Sequence, residues 1–446
     1  MNRRDFIKLT LASGAVALMP TYTYASTLDL EKISFSANEN NAQTILIFLA
    51  GGPSQLGGNL TNLEEIKKRS TNNYGYFKNI TLTKNACWKQ AGGDAMETLM
   101  ENGDMTLFRS CYSKKREKTH NKAHGMCSKQ NQRGSQDPQS GGIINNLAKI
   151  LHANDVIKSD AVMPFVTMSG ENQFYHDKDR TLVTDLRPIG ISSSFSNPYK
   201  RERIYRGSYY KYGEKKYNKE HNITQPPALN QHMNILAEKT NRPGKIREVF
   251  TKRGELDDFI NKIKKSKTPD LGDNAYQKNN FANTLQAAVK ILVSNADTRV
   301  ITVGTGGLGG WDQHNNALHY VDRMNNLFNA LKSAMAHIKA EGKEQTINIM
   351  VFGEFGRNVN LNRANGWDHG NLQNFYLLGG KGYFNHKGIV GETVVEGKKG
   401  RIYHRPKEGT YWFEPFSIAA TFYKIYGIEN PEELTGGHGV IESIFS

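Results

Sequence analysis

Five residues in the second half of the chain, Asp312, His314, Glu354, Asp368 and His369, are of the types that hold divalent cations. Imidazole nitrogen together with carboxylate oxygen suits zinc, whereas carboxylates alone suit magnesium, calcium or manganese. Asp312-x-His314 sets two side chains on one side of an extended segment, so both can face one ion or neighbouring ions. A single Asp–His pair in a loop is an ordinary hydrogen-bonded turn. Three acidic or acid–histidine groups converging from separate segments are a stronger indication of one polar site. Arg357, three residues after Glu354, carries a planar fork of donors that can clamp an oxyanion in bidentate fashion or pair with Glu354.

The hydrophobic pattern supplies the elements that must position these residues. The stretches Arg299 to Val303 and Thr346 to Phe352 are short, β-branched and apolar throughout, as strands covered on both faces of a parallel sheet are. Between them Tyr320, Val321, Met324, Leu327, Phe328, Leu331, Met335 and Ile338 recur at three- and four-residue spacing, one apolar face of a helix. This is a strand–helix–strand crossover. Ligands of open α/β sheets gather beyond the carboxyl ends of the strands, so Asp312, His314 and Glu354 share one rim. A strand over about Asn374 to Leu378 brings Asp368 and His369 to that rim if it runs antiparallel.

The first buried strand is Gln43 to Ala50, and it runs into Gly51-Gly-Pro-Ser-Gln55, a tight turn that makes Ser54 a candidate for the same rim. Further along, the pattern predicts a helix over 95–101, strands over 104–110 and 160–168, and helices over 231–238, 253–265 and 277–295. A β-hairpin follows over 389–405, then a terminal amphipathic helix over 415–426 that Gly427 closes. A run of Lys and Arg from Lys114 to Arg133, broken by the single acid Glu117, contains Thr119 at a helix start, with His120 and His124 in the turns after it. Residues 187–227 are Tyr-rich, basic and poor in aliphatics. That composition matches an aromatic and basic nucleic-acid surface, but in an exported chain it is read as a surface insertion near the site entrance, with no nucleic acid as partner.

Export is indicated by Arg3-Arg-Asp-Phe-Ile-Lys8 followed by the short apolar run Leu9 to Met19, the form of a twin-arginine signal. Thr23-Tyr-Ala25 places cleavage after Ala25. Residues 1–25 are then the signal peptide, the twin-arginine export machinery is a partner, and residues 26–446 form one elaborated domain that is periplasmic or otherwise exported. No later stretch is long and apolar enough for a membrane helix. The net charge of +15 points an exported chain towards anionic glycans, lipopolysaccharide, or phosphate and sulfate esters. The three cysteines, Cys87, Cys111 and Cys127, are too few for a disulfide framework, have no metal-type spacing, and allow one bridge with one free thiol.

Beyond the twin-arginine start, the stretches Phe48-Leu-Ala-Gly-Gly-Pro-Ser54, Thr119-His120, Gly309-Gly-Trp-Asp-Gln-His314, Gly353-Glu-Phe-Gly-Arg357, Asp368-His-Gly370 and Gly437-His-Gly-Val-Ile-Glu-Ser-Ile-Phe445 carry a resemblance. Together they resemble the domain-of-unknown-function 1501 family, which is Tat-exported, sulfatase-like and grouped with the alkaline phosphatase and sulfatase superfamily. The resemblance covers nearly all of the mature chain. It implies an alkaline phosphatase-like α/β/α sandwich with a mostly parallel central sheet and insertions, and a metal-dependent hydrolase of phosphate or sulfate esters. It further implies Asp312 and His314 as ligands of one ion, Glu354 in the strand-end acidic position and His369 in the late histidine position. Thr119 takes the place of the hydroxyl nucleophile, and His120 or His124 assists the leaving group. The competing reading of Thr119 is a helix cap alone. The chain departs from the pattern between Gly51 and Asn59, where the superfamily carries an aspartate and this sequence has no acid. Only Ser54, Gln55 or Asn59 can stand in, and neutral oxygens hold a cation less firmly. The alternative function is accordingly a non-catalytic member that binds an anionic polymer or ligand through its basic surface.

The paired arginines generate the first test. Replacing Arg3 and Arg4 with Lys should leave precursor in the cytoplasm; a normal exported yield, followed by fractionation and immunoblot, removes the twin-arginine reading.

Overall fold

The computed structural model describes residues 30–36, 41–70, 80–114, 120, 141–158, 161–176, 186–195, four short strands between 203 and 223, and 255–445 without 257. The first strand, β1 (Gln43–Leu49), is buried along its whole length. After it come β2 (Met105–Tyr112), β3 (Phe165–Met168), β4 (Ile189–Gly190), β5 (Arg203–Tyr205), β6 (Tyr210–Lys211), β7 (Glu214–Lys215) and β8 (His221–Ile223). The remainder are β9 (Val300–Val303), β10 (Ile347–Gly353), β11 (Gly356–Leu361), β12 (Trp367–Gly370), β13 (Leu372–Gly379), β14 (Gly388–Val390), β15 (Thr393–Lys398) and β16 (Arg401–Pro406). The helices used below are α1 (Leu63–Arg69), α2 (Gly93–Glu101), α3 (Ile143–Ala153), α4 (Asn280–Ser294), α5 (His319–Ala340) and α6 (Phe416–Lys424).

Eight strands form one mixed, mostly parallel sheet in the order β14-β2-β13-β10-β1-β9-β3-β4. Every neighbouring pair is parallel except the two made by β13, which runs antiparallel to both β10 and β2. The start of β13 therefore lies at the same edge as the ends of β1, β9 and β10. The antiparallel condition set by the sequence is met, and Asp368 and His369 arrive at the rim with Glu354 and Arg357.

The alternation of strand side chains divides the core in two. Ile45, Ile47 and Leu49 of β1, with Ile349 and Val351 of β10, pack into a cluster with α1, α2, α4 and α5. Leu46 and Phe48, with Met350 and Phe352, pack into a second cluster with α3 and α6. Two apolar faces with helices over each make a three-layer α/β/α sandwich, the reason these strands read as continuous apolar runs. At the opposite edge, Asp104 is buried against Lys339 of α5 (2.5 Å) and Lys381 (2.8 Å). A buried carboxylate is tolerable there because two ammonium groups meet it.

Most expected elements are present, with three differences. β3 begins at Phe165 rather than near 160, because Met163 adopts φ 54° ahead of Pro164, a backbone turn that cannot continue a strand. The stretch after Glu354 is an antiparallel hairpin, β11 with β12, in which Arg357 lies opposite His369. Part of the Tyr-rich segment joins the main sheet as β4, while β5 with β8 and β6 with β7 form small ladders outside it. The 389–405 excursion is the β15–β16 hairpin, preceded by β14 on the sheet edge. Cys87 and Cys111 are both buried and not bonded to each other; Cys127, the signal segment and the 231–238 helix lie outside the described residues.

Phe352 is 1 % exposed and makes edge contacts with Phe48 and Phe375 directly beneath the rim. Phe352→Ala should cost about 3–5 kcal/mol through lost transfer energy and a cavity, read as a lower denaturation midpoint. Leu82→Ala, at a 37 % exposed position, should stay within about 0.5 kcal/mol of the parent.

Candidate metal centre

The tightest polar cluster at the rim is a triangle of ligand-type atoms. His314 Nε2 lies 3.1 Å from His369 Nε2 and 3.1 Å from Asp312 Oδ1, and His369 Nε2 lies 3.4 Å from the same oxygen. Ligand atoms about 2.0–2.1 Å from a tetrahedral zinc ion are separated by about 3.3 Å, so the three edges match one face of such a site. The donor set, two imidazoles and a carboxylate, fits a divalent cation, with Arg357 Nη2 also 2.6 Å from the Asp312 oxygen.

Two carboxylates stand behind the imidazoles. Asp368 Oδ1 accepts from His314 Nδ1 at 3.0 Å and is itself held by Asn362 Nδ2 at 3.1 Å. With its Nδ1 proton directed to Asp368, His314 presents the Nε2 lone pair to the triangle. Glu354 has the same relation to His120: its Oε1 accepts from His120 Nδ1 at 2.8 Å and from the Gly51 N–H at 2.6 Å. His120 Nε2 then faces Asp312 Oδ2 at 3.3 Å. An imidazole flanked by carboxylates on both nitrogens needs positive charge between it and the second one, either its own proton or a cation. His120, Asp312 and His369 also form a group of metal-ligand atoms lying within 4.8 Å of one another. The Phe355 ring underlies the imidazoles, 4.4 Å from His369 and 5.1 Å from His120 between centroids.

Arg357 organises the loops around this cluster. The sequence offers it Glu354 as partner, yet it lies in β11 opposite His369 and pairs with Asp312 Oδ1 at 2.6 Å. Its Nε donates to Gly52 O at 2.6 Å, and Nη2 donates to Gly51 O and to Trp311 O at 3.3 Å. Nη1 donates to Trp367 O at 3.2 Å and reaches His314 Nε2 at 3.4 Å. The guanidinium is 0 % exposed, and its N–H groups meet main-chain carbonyls and Asp312, apart from one Nη1 hydrogen that faces His314 Nε2.

The sequence allows this because of Gly51. Its φ is 112°, and a Cβ there would overlap the Asp312 backbone nitrogen. Glycine thus lets the end of β1 meet the loop after β9. That loop is anchored by α5, whose Tyr320 hydroxyl donates to Trp311 O at 2.6 Å. Burial acts to raise the pKa of Asp312, but the hydrogen bond and charge of Arg357, with His120 and His314, outweigh it and hold the carboxyl below its ordinary value. Asp368 is held low in the same manner, burial being outweighed by its hydrogen bonds to His314 and Asn362.

Asp312, His314, Glu354, Arg357, Asp368 and His369 thus come together, joined by His120. Ser54 is different: its Oγ accepts from Leu56 N at 3.1 Å within its own turn, and it makes no hydrogen bond to the cluster among the described residues. Thr119 and His124 lie outside the described residues. Two contributors have no motif of their own. Gln55 bonds reciprocally to the Arg357 backbone, Nε2 to O at 2.8 Å and Oε1 from N at 2.9 Å, and Asn362 ties Asp368 to the His314 carbonyl. The position of Gln55, directly after a glycine-rich strand end, is the one sequence signal that marks it.

An eight-stranded α/β/α sheet with an acid–histidine cluster on its carboxyl rim defines the class of this protein. The sequence model of a family described as a protein of unknown function, DUF1501, matches residues 216–402, and no curated protein matches the chain. Among solved structures, the chain is similar to the lipoteichoic acid synthase LtaP from Listeria monocytogenes, with 8 % identity over 94 % of this chain and 81 % of that one and a TM-score of 0.37. An alkaline phosphatase from the Antarctic bacterium TAB5 shares 14 % identity over 76 % of this chain and 91 % of that one, with a TM-score of 0.35. A Bacteroides thetaiotaomicron structure from work on glycosaminoglycan metabolism shares 11 % over 91 % and 76 %, with a TM-score of 0.33. Among the described residues no helix is long and apolar enough to cross a membrane.

Lysine cannot reproduce the fork of Arg357. Arg357→Lys should leave several of the carbonyls of Gly51, Gly52, Trp311 and Trp367 unsatisfied and cost about 3 kcal/mol or more, measured as a fall in the denaturation midpoint of protein freed of metal.

Proposed function

We propose that this chain is an exported, metal-dependent hydrolase of phosphate or sulfate esters. The observation that carries the reading is the triangle of Asp312, His314 and His369 at the carboxyl rim, with each of two nearby imidazoles backed by its own carboxylate. Three protein ligands are the arrangement of catalytic rather than structural zinc sites. A cation held there supplies charge neutralisation for the ester's non-bridging oxygens and acidifies a nearby hydroxyl.

The chain's own residues supply the remainder. Thr119, the sequence neighbour of His120, is the proposed nucleophile: its hydroxyl proton passes to a neighbouring histidine and its Oγ bonds to phosphorus or sulfur as the bond to the alcohol oxygen breaks, after which water attacks the same centre, breaks the bond to Oγ and restores the hydroxyl as phosphate or sulfate leaves. His120 or His124 donates the proton that the departing oxygen takes up. Glu354 orients His120, and Arg357 fixes Asp312 against the end of β1. The full chain's net charge is +15, of which residues 1–25 contribute +2 (Arg3, Arg4 and Lys8 against Asp5), and the strongly basic remainder favours anionic substrates over neutral ones. The second reading, a non-catalytic protein that binds an anionic polymer, is favoured by the lack of any acid from Gly51 to Asn59.

The test is turnover of aryl phosphates and aryl sulfates by metal-loaded protein. Asp312→Asn and His369→Ala should lose bound metal and reduce turnover by more than about 100-fold, beyond the effect usual for outer-shell changes. They should also abolish the rise in melting temperature that added metal gives the parent, since a ligand stabilises only the state that binds it. Thr119→Ala should abolish turnover with metal still bound, and Thr119→Ser should keep part of it. Metal-loaded protein that binds anionic glycans yet hydrolyses no ester establishes the second reading.

A further inference from the structure

The β15–β16 hairpin has one buried face and one charged face. Alternation along β16 turns Ile402 and His404 inward and leaves Arg401 and Tyr403 exposed, with Arg405 half-buried on the same outer face. Val395 and Ile402 belong to the core that also holds Val359 and Leu361 of β11. Arg69 of α1 fixes the turn end: its Nη1 donates to Val395 O at 2.7 Å and its Nη2 to Gly397 O, while its own carbonyl accepts from the Gly400 N–H at 3.0 Å. Asn62 Nδ2 holds the start of β15 through Thr393 O at 2.7 Å. The outer face is therefore braced before anything binds to it, which lowers the ordering cost of an encounter.

That face is basic. From Glu392 to Lys407 the chain carries Lys398, Lys399, Arg401, Arg405 and Lys407 against Glu392 and Glu396. Glu392 meets Lys407 at 2.5 Å and Glu396 meets Arg405 Nε at 3.2 Å, so both acids are engaged, and Lys398, Lys399 and Arg401 have no ion-pair partner among the described residues. Tyr403, 37 % exposed, lies between the two arginines, with the Arg405 guanidinium 5.1 Å from its ring centre. Arg401 and Arg405 are four residues apart on an extended strand, about 14 Å, too far for one phosphate or sulfate to bridge. A line of cations with an aromatic ring in its middle suits an extended polyanion.

We propose that the outer face of this hairpin binds an anionic polysaccharide, with the arginine forks on its sulfate, phosphate or carboxylate groups and the Tyr403 ring against the C–H face of a sugar. The single ring favours a sugar chain over nucleic acid, since single strands are held on several aromatic rings on which successive bases stack, and no other large aromatic among the described residues is as exposed as Tyr403. β16 packs against β11, the strand that sets Arg357 opposite His369, so a polymer on the hairpin lies next to the strand that borders the metal-ligand cluster. In naming the ester's alcohol as a glycan hydroxyl the inference rests on the hydrolase reading; the binding itself does not need that reading.

The test is calorimetric titration of the full-length protein with dextran sulfate and with uncharged dextran of the same length. The parent should bind the sulfated polymer and not the neutral one. The double variant Lys398→Gln with Arg401→Gln should bind dextran sulfate about tenfold or more weakly, with a flatter salt dependence. Tyr403→Ser should weaken binding by about threefold and keep the parent's salt dependence. All three side chains are exposed, so melting temperatures should match the parent, and aryl-ester turnover should be equal in parent and variants. Parent affinity in the double variant overturns the inference, as does tighter binding of a single-stranded oligonucleotide than of dextran sulfate. A parent that binds dextran sulfate through the hairpin yet hydrolyses no ester supports the binding face and overturns the hydrolase reading alone.

Discussion

A fully buried guanidinium holds the rim together. Arg357 gathers four main-chain carbonyls and one carboxylate that belong to the β1 turn, the loop after β9 and the β12 strand. Burying a charge costs several kcal/mol unless every donor is met, so the interaction is highly conditional: all of those loops must be in place for any of them to be favourable. This makes the rim cooperative. Two consecutive glycines let the turn come this close, since a Cβ at Gly51 would overlap the Asp312 backbone and one at Gly52 the Phe355 ring.

Beneath the rim the sheet supplies rigidity. Phe48 and Phe352, aromatic residues near the ends of β1 and β10, meet edge to face at 5.5 Å below the turns that carry Gly51 and Glu354. Placing polar groups just past such a pair lets them leave the apolar core without a long loop. Carboxylates one step behind His120 and His314 then fix which ring nitrogen carries a proton, and so which one is a lone pair. Shape, tautomer and charge at the site are each set by a different layer of contacts.

Much of this was legible in the chain because strand ends carry their chemistry close by in sequence. Asp312-x-His314 and Glu354 follow apolar runs that read as buried strands, and β13 was legible as a strand whose direction stayed a condition. What pattern could not supply was partnership. Glu354 and Arg357 are three residues apart and of opposite charge, yet each bonds elsewhere: Glu354 follows the end of β10, whereas Arg357 lies in β11 opposite His369. The hairpin leaves only a short signal, Val359 and Leu361 buried in alternation with Asn358 and Asn360 over a strand of six residues. His120 was visible as a residue and Asp368 as a candidate ligand, but their carboxylate and imidazole partners are fixed only by contacts more than fifty residues apart in the chain.

The β11–β12 hairpin has a consequence for how the site assembles. Between the end of β10 at Gly353 and the start of β13 at Leu372 the chain folds on itself, closing Gly356 onto Gly370 and Arg357 onto His369. Closing a short loop forfeits little chain entropy, and local contacts form quickly. One half of the cluster can therefore be organised by a single hairpin while Asp312 and the end of β1 are still distant. The long-range closure onto Arg357 then becomes the step that distinguishes a finished rim from a partly folded one.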